Sequence, residues 1–271
     1  MNEIDDVYLK LCSMLLDDDY STKIGNTREI NNAIIRLNDI TQNVVSVRNI
    51  SHSYLFAEWI WYLKGNNKVS FISPFASKWK NISDDGFTNN SAYGYLMLYK
   101  NGFNQIDKII QLLDEDPNSR RAVINLNVPN ENVITTKDEP CTIALQFLIR
   151  DKKLNCTAMM RSNDIWYGFP YDVAFFTLLQ RIIADELNIG YGTYTHFATS
   201  LHVYDNNLKD LKKIISENDP STQKFKYDHK KFMDNLDFIY ELLKFSTTHC
   251  DPNFNKKYIL MLAREFFGYE S

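Results

Sequence analysis

The stretch from Asp138 to Asp172, DEPCTIALQFLIRDKKLNCTAMMRSNDIWYGFPYD, leaves the chain few ways to fold. Two apolar runs flank the polar Asp151-Lys152-Lys153, and strand-forming residues on both sides of such a break predict a β-hairpin over residues 143–161. The hairpin returns to a polar cluster, Arg161-Ser162-Asn163-Asp164. Antiparallel pairing sets the start of one strand beside the end of the other, so Cys141 and Arg161 are expected as neighbours. A thiol there has two readings. It is a nucleophile whose thiolate the guanidinium stabilises, or it is one more small buried hydrophobe.

Beyond the hairpin, Gly168 and Pro170 mark the start of a long amphipathic helix, YDVAFFTLLQRIIADELNIG, ending at Asn188 or Gly190. Asp172 falls in its first turn, where an acid complements the helix dipole. The following TYTHFATSLHVYDNN alternates as a strand and places His202 and Tyr204 on one face, either as structural residues or as two hydrogen-bonding groups for one ligand.

The rest of the chain supplies further candidates. Residues 1–45 read as polar segments with short apolar stretches, of which VYLKLCSML is helical in period, and Lys23 lies in an expected loop, Ser21–Asn26, from which it reaches either water or an anion. SYLFAEWIWYLKGN reads as a largely buried helix stopped by Gly65, with Glu58 inside it either facing water or poised for acid–base work. Residues 66–102, with Trp79 and Tyr93-Gly94-Tyr95, read as a loop-rich wall. FNQIDKIIQLLDED is a helix broken by Pro117, after which Arg120-Arg121 form a candidate anion clamp leading into a strand, AVINLNV. Residues 205–247 read as helical and charged.

With 44% hydrophobic and 24% charged residues over 271 positions, the expectation is one globular domain, 1–271, with a sizeable core. A net charge of -4 offers no positive field for a nucleic-acid polymer, though a few arginines can hold a small anion. The four cysteines make no CxxC pair and the five histidines no HExxH, which argues against a metal site or disulfide framework and for the cytoplasm. No apolar run approaches the roughly 20 residues that cross a bilayer, and the acidic start lacks a signal-peptide n-region.

Taken in order, AEWIWYLKG, SAYG, DPNSRR, EPC, QF, RSND with the glycine and proline of YGFPYD, and SLHVY resemble the thymidylate synthase family from about residue 21 to 210. The resemblance implies an α+β fold with a large, twisted, mostly antiparallel sheet flanked by helices. It implies Cys141 as the nucleophile that adds to C6 of a pyrimidine nucleoside monophosphate, 5,10-methylenetetrahydrofolate as one-carbon donor without a metal, and Glu58 managing protons. Lys23, Arg161 and Ser162 would hold the phosphate, with Arg120 and Arg121 donated across a homodimer interface. His202 and Tyr204 would bind the sugar, with Tyr93 among the substrate contacts. Asp164 and Trp79 would serve the folate.

Four departures from that pattern stand out. Tyr171-Asp172 replaces the Phe-Asn pair that reads the base, Thr142 follows the nucleophile where histidine is usual, Lys23 stands in for an arginine, and the tail EFFGYES is unlike the family's apolar tail. Uracil presents an N3–H donor beside the O4 acceptor, which an amide matches. Cytosine presents the reverse, and a carboxylate accepts from its N4 amino group. The segment QFLIRDKKLN with MRSND and the GF and D of GFPYD looks closer to the phage deoxycytidylate hydroxymethylases, and RSNDIWYGFPYD with SLHVY is similar to the cytidylate hydroxymethylases of nucleoside-antibiotic pathways. The implied activity is C5 hydroxymethylation of dCMP or CMP. The alternatives are a thymidylate synthase or dUMP hydroxymethylase, and an inactive relative that binds nucleotides or RNA.

Overall fold

In the computed structural model of the chain, residues 2–127, 132–217 and 225–270 are described. They group into two compact units, Met1–Ile50 with Gln105–Asn127 and Cys141–Gln223, and Ser51–Asn104 with Val128–Pro140 and Lys224–Ser271. Neither is one continuous stretch of chain.

The first unit holds the strands β1 (Thr22–Ile24), β2 (Thr27–Leu37), β3 (Val123–Asn125), β4 (Thr142–Arg150), β5 (Lys153–Met160), β6 (Asn163–Asp164) and β7 (Gly190–Tyr204). They form one sheet in the order β1-β2-β7-β5-β4-β3, with β6 also on β7. The β5–β7 and β6–β7 pairs are parallel and the others antiparallel. The expected hairpin is β4 and β5, paired from Thr142↔Met160 to Arg150↔Lys153. Its turn residues Asp151 and Lys152 both take positive φ, 52° and 58°, the two-residue turn whose twist matches that of the flanking strands. A register shift between Thr142 and Ala144 bulges β4 immediately after Cys141.

Gly168 and Pro170 open the helix Phe169–Glu186 as expected, and Asn188, at φ 52°, follows its end. The helix is not amphipathic. Gln180 and Arg181, which give the sequence its polar face, are 0% and 6% exposed. Gln180 Nε2 donates to the Leu154 carbonyl at 2.7 Å, so its amide belongs to the sheet rather than to solvent.

Two more expectations are corrected in this unit. Ser21–Asn26 is not a loop: β1 turns through Gly25, at φ 56°, and pairs back onto β2. β2 itself escaped notice because Asn32, at φ 55°, interrupts the alternation between buried Ile30 and buried Ala33, Ile35 and Leu37. The strand expected over AVINLNV is confined to β3, and Val128 lies outside the described residues.

The second unit is helical. In the helix His52–Leu63, Leu55, Phe56, Ala57, Trp59, Ile60 and Trp61 are all 0% exposed. It ends as expected at Gly65, with φ 58°, the Gly65 N–H bonded to Tyr62 O and the Asn66 N–H to Trp61 O, a left-handed cap that satisfies both carbonyls. Residues 66–102 are less loop-rich than expected: Val69–Ile72, Lys78–Ile82 and Tyr93–Leu98 are helical. Helices this short show too few turns for a periodic signal. The helices His229–Asp234, Leu236–His249 and Pro252–Phe267 complete the unit, and Phe56 packs its ring 5.0 Å from Phe267 and 5.1 Å from Tyr269. Among the described residues no helix is long and apolar enough to cross a membrane.

Gly94 decides how closely two helices of this unit approach. A Cβ there would lie 1.9 Å from the Tyr62 carbonyl oxygen, and backbone cannot step aside as a flexible side chain can. Gly94→Ala is expected to cost about 3 kcal/mol through overpacking, read as a lowered urea midpoint at unchanged slope.

Candidate active site

Cys141 sits half-buried at the lip of the sheet, just ahead of the β4 bulge. The Arg161 N–H donates to the Cys141 carbonyl at 2.9 Å, which joins the two ends of the hairpin. The four cysteines form no disulfide, and they are not equivalent. Burial pushes the Cys12 thiol up to about 12, and burial likewise raises Cys156 well above the ordinary range. Neither supplies thiolate near neutrality.

Arg161 leads into Ser162 and then β6, which pairs Asn163 with Leu201 and Asp164 with His202. That pairing brings Ser162 Oγ to 3.4 Å from His202 Nδ1, and the rings of His202 and Tyr204 meet edge to face at 5.3 Å. Asp164 Oδ1 accepts from the Trp166 and Tyr167 N–H groups at 2.7 and 3.3 Å, shaping the turn that leads to Gly168. Lys23 forms an exposed ion pair with Asp205, an interaction water makes weak. Arg120 and Arg121 are exposed, Arg121 lying 3.8 Å from Asp116.

Asp172 is half-buried in the first turn of the helix Phe169–Glu186, where its Oδ2 accepts from Asn163 Nδ2 at 2.7 Å. Gly168 makes room for this pair. A Cβ there would lie 2.8 Å from Asn163 Nδ2 and 3.2 Å from Asp172 Oδ2.

Glu58 belongs to the second unit and is 5% exposed. It faces hydroxyls rather than water: Tyr54 donates to Oε1, and Tyr62 does so at 3.4 Å. Trp79 donates its indole N–H to Tyr54 at 3.0 Å and sets its ring against Trp61, 4.9 Å away. Tyr93 stacks on Tyr62 at 5.2 Å. Tyr54 and Tyr62 were missed in the sequence, although both stand four residues from Glu58 on one helix, the spacing that brings side chains together. Asn163, and His196 whose Nε2 lies 3.1 Å from Asn163 Oδ1, were also missed as individuals. Their signal was a polar residue at a position that the strand pattern turns inward.

The sequence model of the family described as thymidylate synthase matches residues 6–258. The chain belongs to the thymidylate synthase family. It is 31% identical over 165 residues to the thymidylate synthase of Buchnera aphidicola, covering 58% of this chain and 62% of that protein. It is 30% identical over 189 residues to the deoxyuridylate hydroxymethyltransferase of Bacillus phage SP01, covering 63% and 49%. To the putative thymidylate synthase of Methanocaldococcus jannaschii it is 41% identical over 119 residues, covering 42% and 54%. The matches thus span less than two thirds of the length of each of these relatives. The solved structure of thermostable thymidylate synthase A from Bacillus subtilis superposes with a TM-score of 0.70 at 20% identity, over 84% of this chain and 88% of that one. The expected α+β, thymidylate synthase-like fold is borne out.

The differing environments of the thiols predict ordered alkylation. Iodoacetamide at pH 8 is expected to modify Cys141 in the native chain while Cys12 and Cys156 react only after denaturant is added, followed by peptide mass spectrometry. Protection of Cys141 equal to that of Cys156 would refute its availability as a nucleophile.

Proposed function

We propose that the chain catalyses folate-dependent hydroxymethylation at C5 of a cytidine monophosphate nucleotide, dCMP or CMP. In this reading the Cys141 thiolate adds to C6, and the displaced electron pair makes C5 a nucleophile. C5 then takes the methylene group of 5,10-methylenetetrahydrofolate. Loss of the C5 proton, with departure of tetrahydrofolate, leaves an exocyclic methylene on the ring. Water adds to that methylene, and the electrons returned to the ring expel the thiolate from C6 and restore the C5–C6 double bond. No hydride is consumed, so the folate product is tetrahydrofolate.

Residue roles follow the family resemblance. Arg161, Ser162 and Lys23 hold the phosphate, joined by Arg120 and Arg121 from the second subunit of a homodimer. The exposure of both arginines suits donation to a partner, as does the outer face of the sheet, where Ile34, 72% exposed, pairs with the half-buried Phe197. His202 and Tyr204 bind the sugar, and Tyr93 contacts the substrate. Glu58 keeps the proton movements, and Asp164 and Trp79 serve the folate, for which the half-exposed Trp79 ring offers a flat surface. No metal is required, and the setting is the cytoplasm.

The observation that carries the choice of cytosine is the carboxylate of Asp172, held by an amide donor at 2.7 Å. A carboxylate so held accepts from the N4 amino group of cytosine but faces the O4 of uracil acceptor to acceptor. A second reading, action on dUMP, is favoured by the phage relative whose name specifies deoxyuridylate and by the relatives named thymidylate synthase.

Incubation with dCMP, CMP or dUMP and methylenetetrahydrofolate separates these readings by product mass. A gain of one CH₂O unit on a cytidine nucleotide, with tetrahydrofolate and no dihydrofolate, is expected; turnover of dUMP alone would defeat the cytosine assignment. Cys141→Ala is expected to abolish turnover and tritium release from C5-labelled nucleotide. Asp172→Asn is expected to shift preference towards uracil by about tenfold or more, the worth of one charged hydrogen bond.

A further inference from the structure

Behind Asp172 lies a chain of polar groups that the proposed chemistry does not use. Tyr194 and His196 stand two apart on β7, hence on one face, and both are 0% exposed; Asn163 is 2% exposed. The Tyr194 hydroxyl lies 2.8 Å from His196 Nδ1, His196 Nε2 lies 3.1 Å from Asn163 Oδ1, and Asn163 Nδ2 donates to Asp172 Oδ2 at 2.7 Å.

With Asp172 ionised, only one placement of protons satisfies all three contacts. A carboxylate only accepts, so Asn163 presents its nitrogen to Asp172 and its oxygen to His196. His196 must then donate from Nε2. A neutral imidazole has a single N–H, so Nδ1 accepts, and it does so from the Tyr194 hydroxyl. Burial keeps the ring neutral by lowering its pKa to about 3, and the Phe169 ring packs edge-on at 5.2 Å.

We propose that this one-way run of donors, Tyr194 to His196 to Asn163, holds Asp172 as an acceptor and so makes these three positioning residues for the choice of base. The inference rests on the reading of Asp172 as the group that meets the pyrimidine edge. A protonated carboxyl has a donor and an acceptor and suits O4–N3 of uracil as well as N4–N3 of cytosine. A carboxylate suits cytosine alone, bound with a proton carried on N3 so that N3–H and N4–H both donate to it. A fixed donor behind Oδ2 favours the carboxylate. Without His196 to fix it, the Asn163 amide is free to turn its oxygen to Asp172, and the protonated form gains instead.

Two measurements test this. In the unaltered chain, long-range ¹H–¹⁵N NMR is expected to show His196 with a protonated Nε2 and a bare Nδ1. A proton on Nδ1 would overturn the polarity of the chain whatever the substrate proves to be. Calorimetric binding of dCMP and dUMP in the absence of folate then reads the base choice. His196→Phe removes both contacts, and the dCMP preference is expected to fall about tenfold. His196→Gln, whose amide donates and accepts in the same directions, is expected to hold it within about threefold. A purely structural role would weaken both nucleotides equally in His196→Phe, and an unchanged ratio in a folded variant overturns the proposal. If the unaltered chain binds neither nucleotide, the functional reading fails and the base-choice part falls with it, while the tautomer still upholds or overturns the chain's polarity.

Discussion

The two-residue period of β7 is the constraint on which the first unit depends. This strand is hydrogen-bonded along both edges, to β2 on one side and to β5 and β6 on the other, so it can neither slip nor rotate without breaking ladders on both. From Tyr194 onward, past a register shift between Tyr191 and Tyr194, its even-numbered residues project to one face. Tyr194, His196 and Ala198 are buried there, and the same face opens at Ser200, His202 and Tyr204. One strand therefore supplies both a sealed polar interior and the exposed groups at its end. β6, only two residues long, has its place because it pairs with this strand.

Both units place an acid among donors rather than leaving it to apolar surroundings. Burying an unpaired charge costs far more than a hydrogen bond returns, so each carboxylate needs its partners built in. Glu58 draws two of its own from one helix turn on either side, Tyr54 and Tyr62. Asp172 draws its partner from another segment, Asn163, at a position set by β6 pairing. The first arrangement is local and survives rearrangement of its surroundings. The second exists only when the sheet is assembled.

That contrast explains what could be read from the sequence. The β4–β5 hairpin, the buried helix stopped at Gly65 and the helix opened by Gly168 and Pro170 announce themselves through nearby residues whose physics is local. Strand β2 did not, because a single left-handed residue, Asn32, shifts its alternation and makes its apolar residues look irregular. The long helix carries polar Gln180 and Arg181, which imply a solvent face, and nothing local says that a sheet carbonyl receives the Gln180 amide. Cys141, Glu58, Asp172 and His202 stood out through the ordered motifs around them. Asn163 and His196 did not, since their roles depend on partners 33 residues apart in the chain.

The same logic bears on why a carboxylate at position 172 needs its surroundings more than an amide does. An asparagine carries a donor and an acceptor by its covalent structure, whatever lies behind it. An aspartate carries either two acceptors or one of each, and the environment decides between them through the hydrogen bonds it offers. In the proposed reading its base preference is therefore a property of the whole run from Tyr194 to Asn163, and Gly168 belongs to that run because any side chain there would press on the very amide that faces the carboxylate. If Asp172 meets the base as proposed, replacing it changes specificity cleanly only when the groups behind it fix which protons it carries.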